Sequence, residues 1–187
     1  ISTNTNFSDI VFEHTKILNT NFTLGEILNI GNQYFWRVSA NYGALQGPWS
    51  EVWNFTTIAP VEINLNTGWN LISSNAMPQN PNIIDMFAQV NNLALVKAAN
   101  GTIYDPTYNI NTIGYWDIKD AYWVYLTAPS TLEFLGAPVK PENTPIMLKQ
   151  GWNMVSYLRN SSMAPADALQ SIDGSLIFVK DAFGNIY

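Results

Sequence analysis

Apolar residues recur mostly at every second position along this chain, in short runs separated by Gly, Pro and Asn. That period is the mark of strands with one buried face. In residues 34–40, Tyr34, Trp36, Val38 and Ala40 fall on one side, and Phe35, Arg37 and Ser39 on the other. Residues 51–57 alternate in the same way. The stretch between them, 41–50, holds two Gly and a Pro and reads as a loop. Residues 57–62 read as a linker. In 122–125, Tyr122 and Val124 face one way, Trp123 and Tyr125 the other. A helical period shows in two places. In "NPNIIDMFAQV" (80–90), Asn82 can cap the first turn, with Asp85 three residues on, and Ile83, Phe87 and Val90 share a face. "APADALQSI" (164–172) places Pro165 in a first turn, where no N–H is needed. The expected fold is all-β: sandwich-like modules in series, with one short helix per repeat.

Part of the pattern is stated twice. "NTGWNLISS" (66–74) returns 83 residues later as "KQGWNMVSY" (149–157). Aligned without gaps, residues 63–104 and 146–187 share 13 identities in 42 positions, among them Trp69/Trp152, Ser73/Ser156, Lys97/Lys180 and Tyr104/Tyr187. Gapless spacing of this kind marks duplicated modules. Each copy reads as a strand, the Gly-Trp-Asn element, a second strand, a helix and a hairpin. Gly68 and Gly151 fit a tight turn at positive φ. The Trp that follows reads as a core plug, and the next apolar run as a central strand. On that reading Trp69→Ala costs roughly 3–5 kcal/mol. "APVKPENTP" (137–145) is the joint between copies.

Leu28, Tyr34 and "WRVSAN", followed by a Gly-rich loop and "WSEVWNFTT", resemble the second half of a fibronectin type III domain. Ile30 and Asn32 stand where that family often has Pro and Thr. The resemblance implies a β-sandwich with Tyr34 at a corner hydrogen bond. The repeats resemble modules of secreted and cell-surface proteins of Bacteroidota-like bacteria, in which "L…GWN(L/M)(I/V)S", a "VKD…G…Y" hairpin and a "GYWVY" strand follow fibronectin domains. Here Ala121 replaces the Gly of "GYW". That resemblance implies export, and repeats that accompany catalytic or adhesive domains rather than carry catalysis themselves. The expected organisation is a C-terminal part of a fibronectin-like sandwich at 1–58, a β-rich repeat at 61–138, and a second, incomplete copy at 145–187. The chain so read is a window on a longer protein, or a subunit completed by its neighbours.

Composition narrows the function. Hydrophobic residues make up 47% of the chain, ample for a core, while charged residues reach only 12% and Asn numbers 23. A surface of Asn, Thr and Ser in place of Lys and Glu points to the extracellular space or the cell surface. The net charge is −6, with eight scattered basic residues. That argues against nucleic acid and against a polybasic membrane patch. Without Cys there is neither a disulfide framework nor a thiolate metal site. No apolar run approaches the roughly 20 residues of a membrane span. Five Asn-x-Ser/Thr sequons, at Asn6, Asn21, Asn54, Asn100 and Asn160, matter only where the source glycosylates.

Candidate chemistry is thin. The single His, His14, has no partner motif, and Ser73 and Ser156 lie in no nucleophile signature. The acids are spread along strands and turns, without the carboxylate pair of a glycosidase. "WDIKD" (116–120) brings Asp117 and Asp120 together but lacks the alternating oxygens of a calcium loop, and reads as a polar turn. No metal, cofactor or enzyme activity is expected. The aromatics remain: seven Trp, nine Tyr and nine Phe. Tyr34, Trp36, Trp69 and Trp152 are assigned to cores. Both faces of "YWVY" cannot easily be buried in a thin domain. One face is therefore an inter-domain contact or a ligand surface, and Tyr115 and Trp116, beside a turn, are the expected exposed platform. Tyr115, Trp116, Trp123 and Tyr125 form the candidate ligand platform, able to stack on sugar rings. The expected function is a non-catalytic surface or secreted module: spacer, adhesive or assembly element. Its expected partners are other domains of the same chain, neighbouring subunits or glycans. The alternatives are a carbohydrate-binding accessory region of a secreted hydrolase, and an extracellular filament subunit completed by strand addition.

Overall fold

The computed structural model describes residues 1–25, 28–43 and 45–187. The protein is all-β with a few short helices. Its internal contacts separate two units, Ile1–Ala59 and Pro60–Tyr187.

In the first unit, β1 (Gln33–Trp36) pairs antiparallel with β4 (Trp53–Thr56), with Tyr34 opposite Phe55 and Trp36 opposite Trp53. Between them, β2 (Ser39–Tyr42) and β3 (Leu45–Trp49) form a second antiparallel pair. Much of the stretch read as a loop is thus a hairpin. Gly43 takes a φ of 61° at its turn. Gly47 lies where a Cβ would approach the Ala40 carbonyl oxygen to 2.9 Å, so a Gly marks close backbone contact here rather than a break. Tyr34 is buried, as assigned, and its Oη accepts the Asn29 backbone N–H at 3.0 Å. Trp36 is half-buried and packs on Trp53, ring centroids 4.6 Å apart. The Arg37 guanidinium lies over Phe7 and Trp49, at 4.0 and 4.2 Å from the ring centroids. Exposed His14 packs its ring beside Phe22.

The second unit contains two sheets. The strands are β5 (Ala59–Leu65), β6 (Gly68–Ile72), β7 (Ala76–Pro78), β8 (Leu93–Ala98), β9 (Ile103–Asp105), β10 (Ile110–Asn111), β11 (Tyr122–Leu126) and β12 (Ser130–Pro138). One sheet runs in the order β10-β9-β8-β11-β6, the other β5-β12-β7. The expected linker at 57–62 is therefore largely the start of β5. Pro60 is tolerated there because strand starts do not need every N–H. One apolar cluster joins the sheets: Leu65 and Leu132 from the small sheet, Val96 and Val124 from the large one, Ile83 and Phe87 from the helix between them. That helix, α1 (Ile83–Phe87), begins as expected. The Asn82 carboxamide oxygen accepts the Ile84 and Asp85 N–H groups at 3.0 and 3.4 Å. A second short helix, α2 (Pro165–Ala168), starts on its Pro.

The repeated Gly-Trp-Asn element has one geometry in both copies. Gly68 and Gly151 adopt φ of 89° and 97°. The Asn two residues on then clamps the turn. Asn70 Oδ1 accepts the Asn66 N–H at 2.9 Å, and its Nδ2 donates to the Asn66 carbonyl at 2.8 Å. Asn153 makes the same pair with Lys149, at 3.0 and 2.8 Å. The carboxamide stands in for a strand partner, satisfying a backbone donor and acceptor together. The repeated serines join the copies. Ser156 Oγ donates to the Ser74 carbonyl at 3.0 Å, and Ser73 Oγ accepts the Tyr157 N–H at 3.2 Å. Asn75 and Asn160 hydrogen-bond through their carboxamides beside them.

Candidate functional site: an aromatic sheet face

Alternation along β11 sends Tyr122, Val124 and Leu126 into the core and leaves Trp123 and Tyr125 on the opposite face. The neighbouring strands fill that face. Across to β6, Tyr125 pairs with Trp69 and Trp123 with Leu71. Across to β8, Tyr125 pairs with Leu95 and Trp123 with Lys97. Trp69 meets Tyr125 at 5.1 Å and Trp123 at 6.2 Å between ring centroids, edge to face in both cases. Trp69 is 52% exposed and Tyr125 37%, with Trp123 half-buried between its neighbours. Trp69, Lys97, Trp123 and Ala182 line a shallow cavity of about 370 Å³.

Ala182 comes from the hairpin of the second copy. Val179 and Tyr187 exchange backbone hydrogen bonds at 3.0 and 2.9 Å, and Gly184 turns with φ of 90°. The Asp181 carboxylate accepts the Asn185 side-chain N–H at 2.7 Å and the Phe183 and Asn185 backbone N–H groups at 2.9 and 2.8 Å. These bonds, the Asn185 side chain first, hold its carboxyl below the usual carboxylate range.

The structure thus brings together two of the four expected platform residues, Trp123 and Tyr125. Trp116 is a correction. It is only 3% exposed, stacked on Tyr122 at 4.3 Å, and part of the core cluster. Its indole N–H has no hydrogen-bond partner among the described residues. A position next to a turn is expected to be exposed, but this turn folds back: the Asp117 N–H donates to Tyr122 Oη at 2.7 Å. Tyr115 is 67% exposed but bridges Asn82 at the start of α1, and its ring stacks on none of the face residues.

Trp69 and Trp152 are corrected in the other direction. Neither is a core plug. Trp152 is 75% exposed, its ring edge-to-face with Phe178 at 5.0 Å. The strand after Trp69 is an edge, not a centre; β8 holds the central place, and β11 lies between it and β6. Since Ile72 enters the core, the period of two turns Trp69 outward.

The Asp117–Asp120 segment behaves as a turn. Asp117 Oδ1 accepts the Lys119 N–H at 2.9 Å, and burial, with the Asp117 charge, raises the Asp120 pKa. Among the described residues no three His, Asp or Glu side chains are placed to hold a metal ion, and no helix is long and apolar enough to cross a membrane. The fold and this face define an all-β protein with an exposed aromatic surface. No family model, no curated protein and no solved structure matches the chain.

Proposed function

We propose that this chain is a non-catalytic module of an extracellular or cell-surface protein, and that it works as an adhesive spacer by presenting the aromatic face of its large sheet. The observation that carries this reading is the outward cluster of Trp69, Trp123 and Tyr125. Grouped large aromatics on a solvent face have a desolvation incentive to meet a partner, whereas singly scattered ones do not. The Tyr34–Asn29 hydrogen bond supports a fibronectin-like reading of residues 1–58. The Asn-rich, Cys-free composition fits an exported setting. Engagement of Ser73 and Ser156 in main-chain contacts fits a structural role for those repeated hydroxyls.

The same rings favour the carbohydrate-binding accessory role as a second reading, because indole and phenol faces stack on the C–H faces of sugars. The test is binding to a panel of polysaccharides by the chain and by a Trp69→Ala/Tyr125→Ala variant of unchanged circular dichroism. The expected result is binding that the double variant loses. Binding that survives both substitutions would refute the face as the adhesive surface.

A further inference from the structure

The cavity on the aromatic face has a shape and a charge that select among sugars. Trp69 and Trp123 stand at 85° to one another, so they form a corner rather than a flat strip. A flat strip stacks successive residues of an extended neutral chain. A corner holds one ring, with a face against one indole and an edge against the other. The volume of about 370 Å³ sits at the small end of ligand pockets. The lining carries one charge, the Lys97 ammonium, and no acid. Lys97 stands directly across from Trp123 in the β8–β11 register. The nearest acid in sequence to the lining is Asp181, beside Ala182. Its oxygens are engaged by Phe183 and Asn185 within its own turn. In a chain of net charge −6, a lone ammonium at an aromatic corner is a specific feature, and Lys recurs at 180 in the second copy.

We propose that this corner binds an acidic sugar of a polysaccharide, a uronic-acid type residue, with its C–H face on Trp69 and its carboxylate at Lys97. This rests on the adhesive reading above and adds the ligand class.

Titration calorimetry of the full chain tests it, with oligogalacturonate and a neutral galactose oligomer of equal length as probes. The unmodified chain is expected to prefer the acidic oligomer by roughly tenfold, the worth of one charge-assisted contact. Lys97→Gln is expected to remove that preference, and Trp69→Ala to weaken both ligands, with melting temperatures close to the parent's. Equal affinity for the two oligomers, or a preference that survives Lys97→Gln, overturns the acidic ligand. In that case neutral binding that still depends on Trp69 leaves the adhesive reading standing. Absence of binding to either oligomer also overturns this proposal, and the wider polysaccharide panel then decides the adhesive reading separately.

Discussion

Residues 63–104 and 146–187 carry the same marks at the same spacing, yet they build different amounts of sheet. The first copy supplies β6, β8 and β9 to a five-stranded sheet. In the second, the counterparts of β6 and β8 form no regular strand, and α2 and a bridged hairpin are the main ordered features. What the copies share is local: the positive-φ Gly, the Asn clamp and the Gly-turned hairpin. Such motifs close their hydrogen bonds within a few residues and need no distant partner. What they do not share depends on β11. In the first copy β6 and β8 pair with β11 from opposite sides, not with each other. β11 lies outside the repeated 42 residues. The duplication therefore specifies turns and a register of apolar positions, and a strand from beyond it turns them into a sheet.

The largest expected effect comes from breaking β11. Val124 has no exposed surface and lies between β6 and β8. Val124→Asp buries a charge without a partner and is expected to cost at least about 4 kcal/mol. Hydrogen exchange reads the consequence. Amides at 68–72 and 93–98 should fall to the low protection expected at 151–155. If they keep their protection in the variant, β11 is not what separates the copies.

A reversible form of the same break uses Tyr122, at the start of β11. Burial pushes its phenol up to about 12, against an ordinary value of 10.0. The folded state thus retains a proton that the unfolded chain releases earlier. The stabilisation is whole below pH 10 and is lost as pH rises from 10 toward 12. Denaturant melts between pH 9 and about 12 should show that limb, and Tyr122→Phe should flatten it relative to the parent. A limb unchanged in the Phe variant would assign it to other tyrosines.

How much of this was legible in the sequence depended on the range of the interaction. The faces of "YWVY", the Asn82 cap, the Pro165 start and the positive φ of Gly68 and Gly151 all follow from residues within a few positions of one another. The outward side of Trp69 did not, because its partner in the strand that fixes its register, Tyr125, is met 56 residues later. Trp116 was misplaced for a related reason: the turn at Asp117 brings it back over Tyr122. Residues 41–50 and 57–62 misled through composition, since Gly and Pro in short or terminal strands look like loop residues until their pairing is known. Of the candidate face, Trp123 and Tyr125 were legible. Trp69 and Lys97, which complete it, were contributed by partner strands.

The Asn clamps sharpen the comparison at smaller scale. Asn70→Ala removes a reciprocal pair of hydrogen bonds with Asn66 at the mouth of a sheet strand, together with a contact to the Val124 carbonyl at 3.4 Å. The expected cost is about 1–2 kcal/mol. Asn153→Ala removes the matching pair at Lys149, which has no counterpart of the Val124 contact among the described residues. Its expected cost is below about 0.5 kcal/mol. Equal losses in chemical denaturation would mean that the second copy's turn is as deeply integrated as the first's.

A small stability effect is expected where the sequence pointed to one of the largest. Trp69 stands half in solvent and touches Tyr125 and Trp123 only edge to face. Trp69→Ala should therefore cost about 1 kcal/mol, the value of such aromatic contacts, rather than the 3–5 of a vacated core site. Trp152 is 75% exposed and edge-to-face with Phe178, so Trp152→Ala should cost no more. The two differ in what else they remove. Trp69 shares its face with Trp123, Tyr125 and Lys97, whereas among the described residues no strand pairs beside Trp152 to hold such a set. Ligand binding should thus fall with Trp69→Ala and persist with Trp152→Ala at matched stability. A stability loss for Trp69→Ala of the size expected of a core site would mean that its outer face is covered in solution, and would move this Trp from recognition back to packing.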